Sequence, residues 1–182
     1  MTVALWLAGR LALFLDPEPL SAAALDLAFP IVLAAAVWRE IIAGRSLHNA
    51  PVALLLSLFA LANLVDHLAA QFPPLDGCGI RLALGAAALL MTLVGGRVTP
   101  SFTRNWMARA QLKPLPAPMD HLDRLAIAVT GLALVGWIVA PEEPLIGPGL
   151  LAAGVLLIAR LSRWRGHRTV REPIVLILHL GY

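Results

Sequence analysis

Seven apolar runs, separated by short polar connections, limit what this sequence can fold into. They cover residues 3–15, 20–37, 51–70, 80–94, 122–139, 145–161 and 173–182. A membrane-spanning helix needs about 20 largely apolar residues, and most of the runs approach that length. Charged residues form 14% of the chain, whereas a soluble domain carries about 25%. The sequence therefore predicts an all-α, polytopic transmembrane helical bundle in one domain. We expect about six spans and a truncated seventh, since the last run is only half a bilayer long.

Basic residues are concentrated in alternate connections. The connections after the second, fourth and sixth runs, taken together with Arg160 at the end of the sixth run, hold eleven of the 14 Lys and Arg residues. The connections after the first, third and fifth runs carry mainly acidic residues, such as Asp16 and Glu142. Because cytoplasmic loops are enriched in Lys and Arg, this pattern places the basic connections and the N-terminus in the cytoplasm.

The polar stretch 95–106, Gly-Gly-Arg-Val-Thr-Pro-Ser-Phe-Thr-Arg-Asn-Trp, lies between two long apolar regions. Glycine tolerates backbone angles closed to other residues, so the pair Gly95 and Gly96 can end the preceding helix. A proline inside a helix removes a hydrogen bond, so we expect a new helix to start near Pro100. The stretch is either a basic cytoplasmic loop that fixes topology or part of a polar pocket between helices.

The third apolar run contains three polar side chains, Asn63, Asp66 and His67. Their helical spacing of three and four residues predicts that they share one face. Ionisable groups inside a span are costly and are candidates for function. His67 is therefore a possible ligand of a metal ion or of haem. The alternative is that it lies near the outer end of its helix and only contacts water.

His179 lies within the apolar run 174–182 and is followed by Gly181. A histidine deep in a helix, beside a glycine that admits a large planar group, suits haem ligation. The alternative is a buried, hydrogen-bonded histidine. From helical rise, His67 and His179 lie at different depths in the membrane, which predicts two separate sites rather than one shared iron.

Several other ionisable residues need partners or have a structural explanation. Asp26 lies well inside the second run, and Arg10 on the neighbouring helix is the expected partner. Asp120 is expected to cap the next helix, because carboxylates favour helix N-termini. Asp123 can pair with an arginine of the polar stretch. The remaining histidines are expected at the surface: His48, His121 and His167.

Five segments together resemble a known family. They are the polar stretch 95–106, residues 38–41 with Arg45, residues 61–67, residues 122–125 and residues 179–182. Their order and spacing resemble the NnrS family of bacterial membrane proteins over nearly the whole chain. Members of that family are about twice this length, with roughly a dozen spans, so the resemblance implies that this sequence is a middle portion.

The resemblance also implies a function. NnrS-like proteins are associated with haem, with copper and with the response to nitric oxide. It implies a multi-pass protein of the bacterial inner membrane, with the lipid bilayer and nitric oxide or a metal-nitrosyl species as partners and with no nucleic acid. The expected function is a contribution to the nitric oxide response, as in denitrification, or to protection against nitrosative stress.

Residue by residue, the resemblance implies that His67 and His179 bind haem or copper. Arg97 and Arg104 would bind haem propionates or structural carboxylates, since a guanidinium pairs well with a carboxylate. The remaining motif positions are Gly96, Pro100, Thr103, Asn105 and Asp123.

Two alternatives come from other functional classes. In a proton-coupled transporter of small solutes, Asp26, Asp66 and the histidines would move protons or the solute. In a helper subunit, the helices would only pack against a partner. No catalytic reaction follows from the sequence.

Overall fold

The computed structural model describes residues 2–15, 19–69 and 71–182, and most of these residues are helical. The helices are α1 (Thr2–Leu15), α2 (Pro19–Ala43), α3 (Ala50–Ala69), α4 (Cys78–Leu90), α5 (Gly96–Arg109), α6 (His121–Val139), α7 (Ile146–Ser162) and α8 (Pro173–Gly181). A π-helical turn, Met91–Gly95, joins α4 to α5. Within the described ranges there is no β-strand. The predicted all-α class is confirmed.

Five helical segments are long and apolar enough to cross a membrane. They are Ser21–Ala43, Leu47–Ala69, Pro73–Arg109, His121–Val139 and Ile146–Arg168, and α1 is a shorter apolar helix. Large apolar side chains on these segments, such as Leu132 and Leu151, are more than two-thirds exposed. Such exposure is costly in water but favourable against lipid tails. The structure therefore describes a multi-pass membrane protein.

The chain divides into two compact units, one up to Ala87 and one from Ala88 onward. In the N-terminal unit, α1 packs on α2 and α2 packs on α3. Small residues let these helices approach closely, as is typical of membrane helices. A Cβ added at Gly9 would lie 2.9 Å from the backbone of Asp26, and one at Gly79 would lie 2.7 Å from the Ala62 carbonyl. In the C-terminal unit, α6 packs along α7 and α5 contacts α8.

The polar stretch 95–106 is helical, so the loop interpretation is wrong. The helix breaks its regular pattern at the predicted place, because the π-helical turn ends at Gly95 and α5 begins at Gly96. The expected restart at Pro100 does not occur, and α5 continues through this residue. Pro100 removes one backbone hydrogen bond. The helix persists because Thr99, Thr103 and Met107, four residues apart, are all buried on one of its faces.

Candidate functional site

Three side chains converge on the carboxylate of Asp26 in the N-terminal unit. Asp26 lies on α2 and is only 5% exposed. Arg10 of α1 binds its Oδ1 in an ion pair. From α3, Asn63 donates its Nδ2 to Oδ2 at 2.7 Å, and His67 lies with Nε2 at 3.3 Å from the same oxygen. We call these four residues the Asp26 cluster.

The chemistry of a carboxylate fixes the hydrogen positions in the Asp26 cluster. An ionised carboxylate only accepts hydrogen bonds, so His67 presents a protonated Nε2 to it and its Nδ1 carries the lone pair in the neutral ring. No hydrogen-bond partner of Nδ1 occurs in the described part of the chain. The charge of Arg10 balances that of Asp26, so the cluster is neutral overall when His67 is neutral. The predicted pair of Asp26 and Arg10 is confirmed.

The shared helical face predicted for the polar residues of α3 holds for Asn63 and His67, which both contact Asp26. Asp66 is exposed and does not bind Asp26. Residues three and four apart are neighbours on a helix, and Asp66 lines the same cavity as Asn63. Asn63 and His67 therefore contact Asp26 directly, whereas Asp66 contributes to the cavity beside them.

A cavity of about 480 Å³ adjoins the Asp26 cluster. Its apolar lining includes aromatic side chains from three helices, namely Trp6, Phe29 and Phe59. Arg10, Asp26, Asn63 and Asp66 form its polar part. The Oδ1 atom of Asn63 is buried and has no hydrogen-bond partner within the described ranges. The cavity thus combines an apolar wall with a polar part that contains one arginine and two carboxylates.

A second buried cluster in the C-terminal unit surrounds Arg160 of α7, which is 2% exposed. Its Nε donates to Asp123 Oδ1 at 2.8 Å. Its Nη1 donates to the Thr92 carbonyl and to the Tyr182 hydroxyl, both at 3.0 Å. The guanidinium also lies 5.1 Å from the ring centre of Trp164, which packs edge-on against Tyr182. We call these five residues the Arg160 cluster.

The two glycines at the start of α5 make room for the Arg160 cluster. A Cβ at Gly96 would lie 2.7 Å from the central carbon of the Arg160 guanidinium, and a Cβ at Gly95 would lie 2.7 Å from the Tyr182 ring. Real Cβ atoms do not approach other atoms so closely. The motif position Gly96 therefore serves side-chain packing at the point where α5 begins.

Asp123 contacts arginines outside the polar stretch, contrary to the expected pairing. Arg160 binds its Oδ1, and Arg163 Nη1 lies 3.5 Å from its Oδ2. Asp123 also completes a capping box with Asp120 at the start of α6. A hydrogen bond from Arg163 to Asp120 lowers the pKa of that exposed carboxyl well below its ordinary value of 3.8. The predicted capping role of Asp120 is confirmed.

His179 is buried on α8 and binds Thr103 of α5, with 2.8 Å between Nε2 and Oγ1. The single hydroxyl hydrogen of Thr103 is donated to the Thr99 carbonyl. Thr103 must therefore accept from His179, so the proton of the neutral ring is on Nε2 and the lone pair is on Nδ1. Nδ1 faces Gly166, where a Cβ would lie only 2.7 Å away. His179 and His167 also line a common cavity of about 380 Å³.

The two motif arginines of α5 point away from the buried face of their helix. Arg97, Arg104 and Asn105 are exposed, and Pro100 is half-buried. Thr103 is the motif position of α5 that is buried and that contacts a candidate ligand, His179. The arginines thus face the surroundings of the unit, whereas the threonine holds His179.

Sequence reasoning missed the Arg160 cluster. Arg160 lies inside the sixth apolar run, and an ionisable residue in a span is a signal of a buried partner. In the sequence, Arg160 resembles a part of the basic loop, because three more Lys or Arg residues follow within eight positions. No sequence pattern indicates that Thr92, Trp164 and Tyr182 contact Arg160, because tertiary packing brings these residues together.

Within the described residues, no group of three or more His, Cys, Asp or Glu side chains is arranged to hold a metal ion. No curated protein and no solved structure matches the chain. The family described as NnrS protein matches residues 1–182. The sequence segments that resemble NnrS thus agree with a match over the full length, and the chain belongs to the NnrS family.

Proposed function

We propose that this NnrS-family protein contributes to the nitric oxide response by binding haem and copper within the membrane, with His67 and His179 as ligands. Family membership relates the chain to the nitric oxide response. The observation that carries the proposal is the hydrogen bond between His67 and the buried carboxylate of Asp26. We also propose an inner-membrane location with a cytoplasmic N-terminus, supported by the alternating basic connections.

The surroundings of His67 fit a metal ion. Metal-binding histidines usually donate their second ring nitrogen to a carboxylate or a carbonyl, which orients the ring and raises its basicity. Asp26 occupies that position, and Nδ1 remains for the metal. Nδ1 is bonded to Cγ, the ring atom that carries the side-chain Cβ, so it has more room for a single ion than for a wide porphyrin. Copper accepts imidazole ligands and supplies one-electron chemistry when bound.

The surroundings of His179 fit haem in part. Leu161, Leu176 and Leu180 give its cavity an apolar wall, and His167 adds a second imidazole. Iron would have to bind Nδ1, or the hydrogen bond from Nε2 to Thr103 would have to break.

Arg97 and Arg104 complete the proposal for haem. They are seven residues apart, which is about two helical turns and places them on the same side of α5. Exposed guanidiniums in this arrangement suit the two carboxylates of a haem, because arginine forms charge-assisted, bidentate pairs with carboxylates.

The proposal is tested by a visible absorption spectrum, together with iron and copper analysis, of the protein purified in detergent. The variants are His67→Ala and His179→Ala, and His48→Ala is a matched control because His48 is exposed. We expect copper to be lost from His67→Ala, the Soret band to be lost from His179→Ala, and both to be kept in His48→Ala. A parent protein without copper or Soret band, or unchanged spectra and metal contents in both variants, would contradict the proposal.

A further inference from the structure

The cavity beside the Asp26 cluster contains a carboxylate that the cluster does not use. Asp66 of α3 lines the cavity together with Arg10, Asp26 and Asn63. Among the described residues, Asp66 has neither a hydrogen-bond partner nor an ion-pair partner. The cavity volume of about 480 Å³ lies within the range of small-molecule sites, roughly 300–1,000 Å³. The cavity is therefore large enough for a ligand that binds Asp66.

The Asp66 side chain is directed at the wall of the cavity that α4 forms. A Cβ added at Gly79 would lie 2.8 Å from the Cβ atom of Asp66, and Gly79 itself lines the cavity. Asp66 is also exposed, whereas the Oδ1 atom of Asn63 is fully buried. A ligand inside the cavity can therefore reach the Asp66 carboxylate.

The charges of the lining residues favour a cation. Arg10 binds Asp26 in an ion pair, so these two charges compensate each other. His67 contacts Asp26 but does not line the cavity. Arg81 of α4 does not line it either, and its Nη2 donates to a backbone carbonyl at 3.4 Å. The described lining residues therefore carry one net negative charge, that of Asp66.

The arrangement of donors at Asp66 suits an organic cation better than a metal ion. Hard metal ions such as Ca²⁺ and Mg²⁺ take about six or more oxygen ligands. The Asp26 carboxylate already binds Arg10, Asn63 and His67, so Asp66 is the carboxylate left for a ligand. A single carboxylate is sufficient for an ammonium group, which donates charge-assisted hydrogen bonds to it.

The face of α3 that lines the cavity determines the shape of the ligand. Phe59, Asn63 and Asp66 all line it, and they follow each other at spacings of four and three residues. The helical rise from Phe59 to Asp66 is about 10 Å. The ring and the carboxylate therefore lie at opposite ends of one face, about two turns apart.

The aromatic residues of α1 and α2 lie at the same end of the cavity as Phe59. Trp6 lies four residues before Arg10, and Phe29 lies three residues after Asp26. Packed helices joined by a short connection run antiparallel, so both aromatic residues are displaced to the same side of the ion pair. A matching ligand thus carries its positive group at one end and a ring at the other.

The cavity has an entrance on the apolar surface of the unit. Trp6 of α1 and Ile80 of α4 line it, and both are exposed. In a membrane protein this surface faces lipid tails. A ligand that enters here must have an apolar body that dissolves in the bilayer.

We propose that the cavity binds an amphiphilic organic cation of the arylalkylamine class, with its ammonium group on the Asp66 carboxylate and its ring among Trp6, Phe29 and Phe59. Aromatic rings pack favourably against each other in edge-to-face and offset arrangements. Neutral and anionic molecules with the same body cannot form the ion pair, so the site selects its ligand by charge. Binding does not depend on a metal at His67, so this proposal and the metal proposal can fail independently.

Binding is tested with three probes that share one apolar body: phenylbutylamine, phenylbutanol and phenylbutyrate, each with its polar group at the end of the chain. They present a positive, a neutral and a negative group. Isothermal titration calorimetry of the full chain in a nonionic detergent gives the affinities, after the heat of titration into detergent alone is subtracted.

We expect saturable binding of phenylbutylamine, about 10-fold tighter than that of phenylbutanol, which lies between the effects of an exposed and a buried ion pair. Phenylbutyrate should bind more weakly than either, because Asp66 repels it. The proposal is overturned if the amine shows no saturable binding or binds only as tightly as the alcohol. Tighter binding of phenylbutyrate than of the amine would also overturn it, since Arg10 rather than Asp66 would then select the ligand.

A variant tests the named carboxylate. Asp66→Asn is expected to lower the affinity for phenylbutylamine about 10-fold and to leave that for phenylbutanol unchanged. Asp76→Asn makes the same change at an exposed aspartate that does not line the cavity, and it is expected to bind like the parent. An Asp66→Asn protein that binds the amine as tightly as the parent contradicts the proposal. If this variant does not fold, the comparison of the three probes on the parent protein decides alone.

Discussion

Arg160→Met breaks the buried ion pair with Asp123 and is expected to destabilise the C-terminal unit strongly. Removing one partner of a buried pair typically costs 3–5 kcal/mol, because the other charge is left uncompensated. Arg163 remains 3.5 Å from the Asp123 carboxylate and compensates part of its charge. We therefore expect the lower end of that range, about 3 kcal/mol. Met keeps much of the apolar stem of Arg160, so the loss reports on the guanidinium.

The free energy of unfolding is measured by titration with SDS in mixed micelles, followed by circular dichroism. Arg124→Met is the matched control, since Arg124 is an exposed arginine on α6. The double variant Arg160→Met/Asp123→Leu removes both charges and is expected to recover most of the loss. It stays about 1 kcal/mol below the parent, because Asp123 also completes the capping box of α6.

The reasoning fails if Arg160→Met unfolds within about 0.5 kcal/mol of Arg124→Met, the usual effect of a surface substitution. It also fails if the double variant is as unstable as Arg160→Met alone. In that case the hydrogen bonds to the Thr92 carbonyl and the Tyr182 hydroxyl, rather than the charge of Asp123, would account for the contribution of Arg160.

Two further predictions concern helix packing and pH. Gly79→Ala places a Cβ against the backbone of α3 and is expected to destabilise the N-terminal unit by about 1–3 kcal/mol in the same titration. Gly154→Ala meets no atom within 4 Å and should be neutral or stabilising, so equal losses in both variants would refute the packing argument. Asp120 has a lowered pKa, so its stabilising effect is complete above its ordinary pKa of 3.8 and is lost as the pH falls below that value. Asp120→Asn keeps the helix cap, because asparagine is also a good N-cap residue. The melting temperature of this variant should therefore decrease less than that of the parent between pH 6 and pH 3. Equal decreases in the two proteins would contradict the role assigned to the Asp120 carboxylate.

Much of the fold could be predicted from the sequence, because apolar runs of sufficient length have few alternatives to membrane helices. The pair of Asp26 and Arg10 was predictable for a similar reason. A carboxylate in the second run needs a cation, and the first run offers one. The common face of Asn63 and His67 follows from helical spacing alone.

The polar stretch was misjudged because its two faces carry different information. By composition alone, its arginines and hydroxyl side chains suggest a loop. In the helix that the structure describes, Thr99 and Thr103 lie on the buried face, whereas Arg97 and Arg104 lie on the exposed face. Pro100 also favoured the wrong prediction, because a proline normally indicates the start of a helix and not its interior.

The contacts of His179 with Thr103 and of Arg160 with Thr92 could not be predicted from the sequence. Thr103 and His179 are 76 residues apart, and Thr92 and Arg160 are 68 residues apart. Contacts of this kind depend on which helices pack together and at what depth. Sequence spacing gives neither quantity for helices that are not consecutive.

The central claim is that Asp26 holds His67 in position to bind a metal ion. The most direct test is the copper affinity of the parent, Asp26→Asn and Arg10→Gln, measured by competition with a chelating dye. We predict that Asp26→Asn weakens copper binding by about 10- to 100-fold, as is typical when the carboxylate behind a metal-binding histidine is lost. Arg10→Gln leaves that carboxylate in place and should keep most of the affinity. Equal affinities of the parent and Asp26→Asn, or no copper binding by the parent, would contradict the claim.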